Sequence, residues 1–228
     1  MNNECVKVYG NITDFNGTPL SKAEVRLTND KFENIYKTYT DDDGKYELNV
    51  EKGVYYAFYA CKDYKVNYLE YWAWNVPLFD NMEINAQIDG LEIYSLTAFP
   101  VKWSFPQLMV YFRPMSLKKA KELEESGICN FKKKSVADSV ELIDICPELT
   151  KNDIEVFINN KKVEVFQINR VKEYGGENKY IYSYLIHVGL NNGTDRYEYN
   201  KVDIRLTDRE TEEKGEGSVF WKEERSRG

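Results

Sequence analysis

A two-residue hydrophobic period recurs along most of this chain, and it limits the fold more than any other feature. Val6, Val8 and Ile12 alternate with polar positions, as do Ala23, Val25 and Leu27, and then Tyr46, Leu48 and Val50. Successive side chains on an extended strand point to opposite faces, so this spacing marks strands with one buried face. Turn formers separate the runs: Asp14-Phe15-Asn16-Gly17, Thr40-Asp41-Asp42-Asp43-Gly44 and Glu51-Lys52-Gly53. Their Asn-Gly and Asp-Gly steps accept the positive φ angles of tight hairpins. In the next run Val54, Tyr56, Phe58 and Ala60 share one side, while Tyr55, Ala57, Tyr59 and Cys61 share the other. Neither side suits open water, so a further layer must cover the outer one. Strands every 8–12 residues or so, with no long helical period between them, predict a mainly β chain built on an antiparallel transthyretin-like or Ig-like β-sandwich. The first domain is placed at 5–113.

The 228 residues leave room for two domains. One helix is predicted from Ser116, whose hydroxyl can cap the first turn, through Leu117, Ala120 and Leu123 to Gly127. It is strongly charged and reads as part of a helical connector over 114–134. Alternation returns at Ile154, Val156 and Ile158, at Val163 and Val165 across the turn Asn159-Asn160-Lys161-Lys162, from Ile181 to Val188, and at Val202, Ile204 and Leu206. This predicts a second, smaller β domain at 135–208. The remainder, 209–228, is rich in charge and glycine and is expected to be largely mobile, with Val219-Phe220-Trp221 as a docking segment or edge strand.

Charge and residue counts exclude several functions. Lys plus Arg is 31 against 38 for Asp plus Glu, a net charge of −7, which is the wrong sign for a surface that tracks nucleic acid. No apolar run approaches the roughly 18 residues that span a bilayer, so no membrane partner is expected. Met1-Asn2-Asn3-Glu4-Cys5 shows no basic segment followed by an apolar one, so the cytoplasm is the expected compartment, or the exterior if a leader has been removed. Cys5, Cys61, Cys129 and Cys146 lack CxxC spacing and read as free, mostly buried thiols, with a disulfide left open for a chain outside the cytosol. With His187 as the only histidine, a zinc site needing two or three histidines cannot be built within one chain. No metal or cofactor is expected.

The local motifs carry little chemistry. Asp41-Asp42-Asp43-Gly44 resembles a calcium loop only in part, because with Gly44 at the sixth position the first and twelfth fall on Tyr39 and Val50, where carboxylates are needed. His187 is in phase with Ile181, Ser183 and Leu185 on a strand and reads as structural. Gly215-Glu216-Gly217-Ser218-Val219 lacks the strand-turn-helix setting of a nucleotide loop or nucleophile elbow. A carboxylate pair assembled from distant strands stays open, but no local spacing marks one. Asn11-Ile12-Thr13, Asn16-Gly17-Thr18 and Asn192-Gly193-Thr194 matter as glycosylation acceptors only in a secreted chain, and Lys132-Lys133-Lys134 reads as a solvated loop. No catalytic residue is expected.

Several of these turn and strand pieces occur together. Val8-Tyr9-Gly10, the stretch Asp14 to Leu20, Ala23-Glu24-Val25, the stretch Thr40 to Tyr46, Gly53 and Tyr64 give the run 6–64 a pattern that resembles the carboxypeptidase regulatory-like domain, a transthyretin-like β-sandwich. Lys22 and Asp63 depart from it, since that family often has glycine there. The resemblance implies an accessory module that performs no chemistry of its own and transfers no active residue.

Tyr68, Tyr71, Trp72 and Trp74 form the strongest candidate binding group, because flat rings offer broad area at small entropic cost and suit sugar faces or protein partners. Packing is the competing role. Trp72 and Trp74 share one face of an extended segment and Leu69, Tyr71 and Ala73 the other, so one set fits a core and the other a second domain. The chain has 18 tyrosines, including Tyr180, Tyr182 and Tyr184, so aromatic richness is chain-wide and the local cluster gains less from it. The function these features predict is non-catalytic binding or scaffolding through contacts with a protein partner or a second copy. The alternative is carbohydrate binding by the Tyr71–Trp74 cluster.

Overall fold

The computed structural model describes residues 4–104, 106–126, 144–176 and 179–224. The period-two runs become strands β1 (Cys5–Thr13), β2 (Glu24–Thr28), β3 (Asn34–Tyr39), β4 (Lys45–Glu51), β5 (Gly53–Cys61), β6 (Tyr71–Leu78), β7 (Met82–Glu83) and β8 (Ala86–Gln87). After these come β9 (Leu91–Phe99), β10 (Gln107–Ser116) and the helix α1 (Leu117–Glu125). The chain closes with β11 (Ile154–Ile158), β12 (Lys161–Val163), β13 (Val165–Gly176), β14 (Lys179–Gly189), β15 (Asn200–Thr207) and β16 (Lys214–Trp221). Ser116 caps α1, its side chain accepting from the Lys119 amide. Cys129 and Lys132 to Lys134 lie outside the described residues.

The strands form two sandwiches joined by one shared sheet. An eight-stranded sheet runs β12-β11-β15-β16-β6-β5-β2-β3. One end is covered by β4, β1, β7 and β8, enclosing Val8, Ile12, Val25, Leu48, Phe58 and Tyr71. The other end is covered by the sheet β13-β14-β10-β9, enclosing Val110, Phe112, Val156, Ile186, Val202 and Ile204. The predicted boundary at 113 therefore moves. β10 pairs with β9 on one side and with β14 on the other, so both strands belong to the second sandwich, and α1 follows a strand of that sandwich where a link between domains was expected. The alternation of β9 and β10 shows that they are strands and says nothing about which sheet they join.

The C-terminal stretch shows a larger difference. Expected to be mobile, it supplies β16, which lies antiparallel to β15 and parallel to β6 at the middle of the shared sheet. Val219 and Trp221 enter the second core while Phe220 enters the first, so this one strand is packed into both sandwiches. Its two glycines suit a close crossing. A Cβ on Gly215 would lie 2.3 Å from the Leu91 carbonyl oxygen, and one on Gly217 would lie 3.1 Å from Ile93 Cβ. The glycines thus let β16 pass tightly against β9, which accounts for a composition that otherwise resembles a loop.

The simple alternation of β5 also breaks. Phe58 and Ala60 face the first core and Ala57, Tyr59 and Cys61 the second, but Tyr55 sits with the first. Its partner β6 changes face at the matching place, between Trp74 and Val76, where Asn75 has a φ of +58°. Val54 and Tyr56 are left exposed. Lys22 and Asp63 have φ values of +56° and +46°, the left-handed region that favours glycine. Cys61 and Cys146 are buried free thiols, each pushed up to about 12 by desolvation, whereas Cys5 is exposed.

A buried polar relay ties the seam together. Tyr71 and Ser218 hydroxyls meet at 2.8 Å, Ser218 donates to Asp203 Oδ1 at 2.5 Å, and Lys201 Nζ lies 2.8 Å from that same oxygen. Tyr71→Phe removes the donor to Ser218 inside a sealed site, so a loss of about 1–2 kcal/mol in urea unfolding is expected. An unchanged midpoint would show that the relay adds nothing to stability.

Candidate functional site

The aromatic group singled out in the sequence lies inside the protein, in the packing role that the sequence set against surface binding. Tyr71 is buried in the first core, and Tyr68 is half-buried against it. Trp72 and Trp74 are 7% and 6% exposed, and their rings stack at 5.1 Å with an interplanar angle of 13°. Edges of Phe32 and Tyr94 close on both indoles, Tyr59 on Trp72, and Tyr56 on Trp74. No open ring face remains for a sugar. The physical reason is the sharing of β6 between the two sandwiches: its Tyr71 face fills one core and its Trp72 face covers the outer side of β5, the layer that β5 required.

Trp72 does bring two acids together. Its indole N–H is shared by Glu70 Oε2 at 3.1 Å and Glu92 Oε1 at 3.2 Å. Burial pushes the Glu92 carboxyl up to about 8, with the charge of Glu70 adding to it. Glu70 is itself raised by burial. This pair comes from β9 and the segment before β6, and no sequence spacing announced it.

The most exposed aromatic side chain among the described residues stands elsewhere. Trp103 is fully exposed on the loop joining β9 to β10, and Phe99 and Val101 beside it are exposed too. The loop stands at a groove of about 330 Å³ whose other walls include Leu190, Trp221 and Gln107. Arg196 and Glu223 line the same groove and bind each other through both guanidinium and carboxylate forks, one contact being 2.5 Å from Nη2 to Oε1. Trp103 has a φ of +68°, a conformation uncommon for a bulky residue outside functional loops and tight turns.

No family model matches this chain, and no curated protein matches it. Solved structures give distant matches. A DUF3823 family protein from Bacteroides ovatus aligns at 8% identity and a TM-score of 0.31, over 96% of this chain and 100% of that one. Another from Parabacteroides merdae aligns at 10% identity and 0.30, over 97% and 100%. BcpA, the major pilin subunit of Bacillus cereus, aligns at 11% identity and 0.30, over 96% and 69%. At these TM-scores the matches define no shared domain arrangement.

His187 is half-buried on β14, opposite Met109 on one side and Gln167 on the other. In the polar groove at the seam, Asp203 pairs with Lys201 and Glu216 with Arg205, and Glu216 also accepts from the Gln87 amide at 2.7 Å. Asp41 accepts the amides of Asp43 and Lys45, holding the hairpin turn together. Among the described residues no group of histidine, cysteine and acidic side chains is arranged to hold a metal ion, and no helix is long and apolar enough to cross a membrane. The sequence reading passed over Trp103. The available signal was Pro100, which ends the alternation of β9 and leaves Val101 and Trp103 on a connection with no strand to bury them.

Proposed function

We propose that this is a non-catalytic binding protein that docks protein through the tip of its second sandwich. The fully exposed Trp103 ring, set beside a groove with Trp221 and Leu190 in its walls, carries this reading. Tryptophan is the side chain most often found at the energetic centre of protein interfaces, and a wholly solvated one gains its full burial on docking. The patch holds a projecting ring and a receiving groove side by side, so two copies related by a two-fold axis can exchange them. Protein is favoured over carbohydrate because Arg196 and Glu223, the charged pair in the groove, already satisfy each other and so are poor partners for sugar hydroxyls. The regulatory-like module resemblance agrees with an accessory role. Lys22 and Asp63 take positive φ where that family often has glycine, which supports the hairpin geometry of the resemblance.

Light scattering tests the reading. The native chain is expected to approach twice its 26.8 kDa mass as concentration rises, and Trp103→Ala is expected to remain at one mass with an unchanged melting temperature. Identical monomer masses for both proteins at every concentration would remove the two-copy interface. A saturable change in tryptophan fluorescence with oligosaccharides, absent in Trp103→Ala, would move the assignment to carbohydrate.

A further inference from the structure

The sequence holds two Asn-Gly steps, and both continue with threonine: Asn16-Gly17-Thr18 and Asn192-Gly193-Thr194. Asparagine before glycine is open to intramolecular attack, because no Cβ on the glycine hinders the approach of its nitrogen to the side-chain amide. Identical tripeptides share their local chemistry, so a difference between them in the folded chain comes from the fold. Asn16, Gly17, Asn192 and Gly193 are all exposed, and a Cβ on either glycine would meet nothing within 4 Å. Crowding therefore does not separate the two sites.

Hydrogen bonding does. Asp14 closes the first step: its carbonyl accepts from the Gly17 amide at 3.1 Å, its Oδ1 accepts from the amides of Asn16 and Thr18 at 2.8 Å each, and its own amide donates to the Thr18 carbonyl at 3.0 Å. Gln87 Nε2 also donates to the Asp14 carbonyl, at 3.2 Å, tying the turn to β8. In the second step the Thr194 amide donates to the Asn191 carbonyl at 3.2 Å and Gly193 has a φ of +93°, a type II turn with Asn192 and Gly193 at its centre. The other bonds fall on the flanks of that turn. Asn191 Nδ2 donates to the Ile158 carbonyl at 3.2 Å, and the Thr194 hydroxyl donates to Asn191 Oδ1 at 2.5 Å. The Gly193 amide and the Asn192 side chain have no hydrogen-bond partner among the described residues.

We propose that Asn192 is a site of spontaneous deamidation and isoaspartate formation in the folded protein, while Asn16, in the same tripeptide, is protected by Asp14. The Gly193 nitrogen, its proton taken by hydroxide, attacks Asn192 Cγ. The new N–Cγ bond closes a five-membered imide, the Cγ–Nδ2 bond breaks, and the side-chain nitrogen leaves as ammonia with a proton from water. Water then opens the ring, either at Cγ to give aspartate or at the Asn192 main-chain carbonyl to give isoaspartate, whose backbone runs through the side chain. Overall one water is consumed and one ammonia released. At Asn16 the proton that must leave is held by the Asp14 carbonyl, and the rotation that brings the Gly17 nitrogen to Cγ must break the Asp14 bonds on both sides of it. The product carboxylate at 192 stands on the connection between Leu190 and Arg196, two walls of the groove beside Trp103. The reaction itself does not depend on that groove binding anything.

Peptide mapping of the folded full chain held at pH 8 follows both sites at once. Mass spectrometry reads the exchange of NH2 for OH, and labelling by a protein isoaspartyl methyltransferase reads the isoaspartate. Asn192 is expected to convert about tenfold or more faster than Asn16, the scale of the several hydrogen bonds that hold the Asn16 turn. In the chain unfolded in urea the two sites are expected to convert within about threefold of each other, because the shared tripeptide is then what acts. Asp14→Ala removes the carboxylate that accepts from the Asn16 and Thr18 amides, so it is expected to speed Asn16 toward the rate of Asn192 and to leave Asn192 unchanged, with far-UV circular dichroism showing that the strands are retained. The proposal fails if Asn16 keeps pace with Asn192 in the folded chain, or if Asn192 stays intact there for the time in which the unfolded chain converts. It fails equally if the unfolded chain keeps the same preference, or if folded Asp14→Ala leaves Asn16 as slow as before.

Discussion

Ending the chain before Lys214 is expected to abolish the cooperative unfolding transition of both sandwiches together. That deletion takes away β16, and with it the ladder to β15, the parallel junction to β6, and the side chains Val219, Phe220 and Trp221. Truncating a buried Phe or Trp to alanine alone costs about 3–5 kcal/mol, and a whole domain is stable by only about 5–15 kcal/mol. Two such residues plus two broken sheet junctions therefore exceed the margin. Because Phe220 sits in one core and Trp221 in the other, neither half is expected to survive as a folded remnant. Urea unfolding followed by far-UV circular dichroism and by tryptophan fluorescence checks this, and a truncated chain with one sharp, native-like transition in both signals would refute it. A graded version is Gly215→Ala, whose methyl would arrive 2.3 Å from the Leu91 carbonyl oxygen and force β16 away from β9. Overpacking of this kind costs about 1–3 kcal/mol, with more expected here because the obstacle is backbone.

The same strand shows what a linear reading can and cannot extract. Strand content was legible because period two is a local property: Val6-Val8, Ala23-Val25 and Val202-Ile204 each bury one face whatever their partner. Partnership is not local. β10 alternates like the strands before it, yet it hydrogen-bonds to β14, which lies some 70 residues further along the chain. β16 was obscured by its own adaptation, since the glycines that allow a tight crossing with β9 read in sequence as a break. Trp72 and Trp74 were correctly grouped on one face, but their burial depends on β9 and the Phe32 turn arriving from elsewhere. Glu92 was invisible for a related reason. An acid inside the run Leu91-Glu92-Ile93-Tyr94 looks like the solvent-facing half of an alternating strand, and only the layer formed by Glu70, Trp72 and Tyr64 makes that face an interior.

That burial gives the protein an expected dependence of stability on pH. Glu92 has an ordinary value of 4.5 and is pushed up to about 8 in the folded chain, by desolvation first and the Glu70 charge second. Below pH 4.5 the carboxyl is protonated in both folded and unfolded chains, so its stabilising effect is complete. Between 4.5 and 8 the unfolded chain releases the proton while the folded chain retains it, and stability declines as pH rises, by as much as about 1.4 kcal/mol per pH unit. Above 8 both states are ionised and the loss is complete, a total on the order of 3–5 kcal/mol. Half-buried Glu216 and Glu70, also raised by desolvation, act with the same sign, whereas Glu4 and Glu210, lowered by ion pairs with Lys52 and Lys119, act in the opposite sense. Glu92→Gln isolates the contribution because glutamine keeps the acceptor for Trp72 and does not ionise. In urea unfolding from pH 4.5 to 8.5 the native chain is expected to lose stability relative to Glu92→Gln by that same few kcal/mol, with equal denaturant slopes for the two proteins. If the difference between native chain and variant is the same at pH 5 and pH 8.5, Glu92 is ionised in the folded protein at its ordinary value.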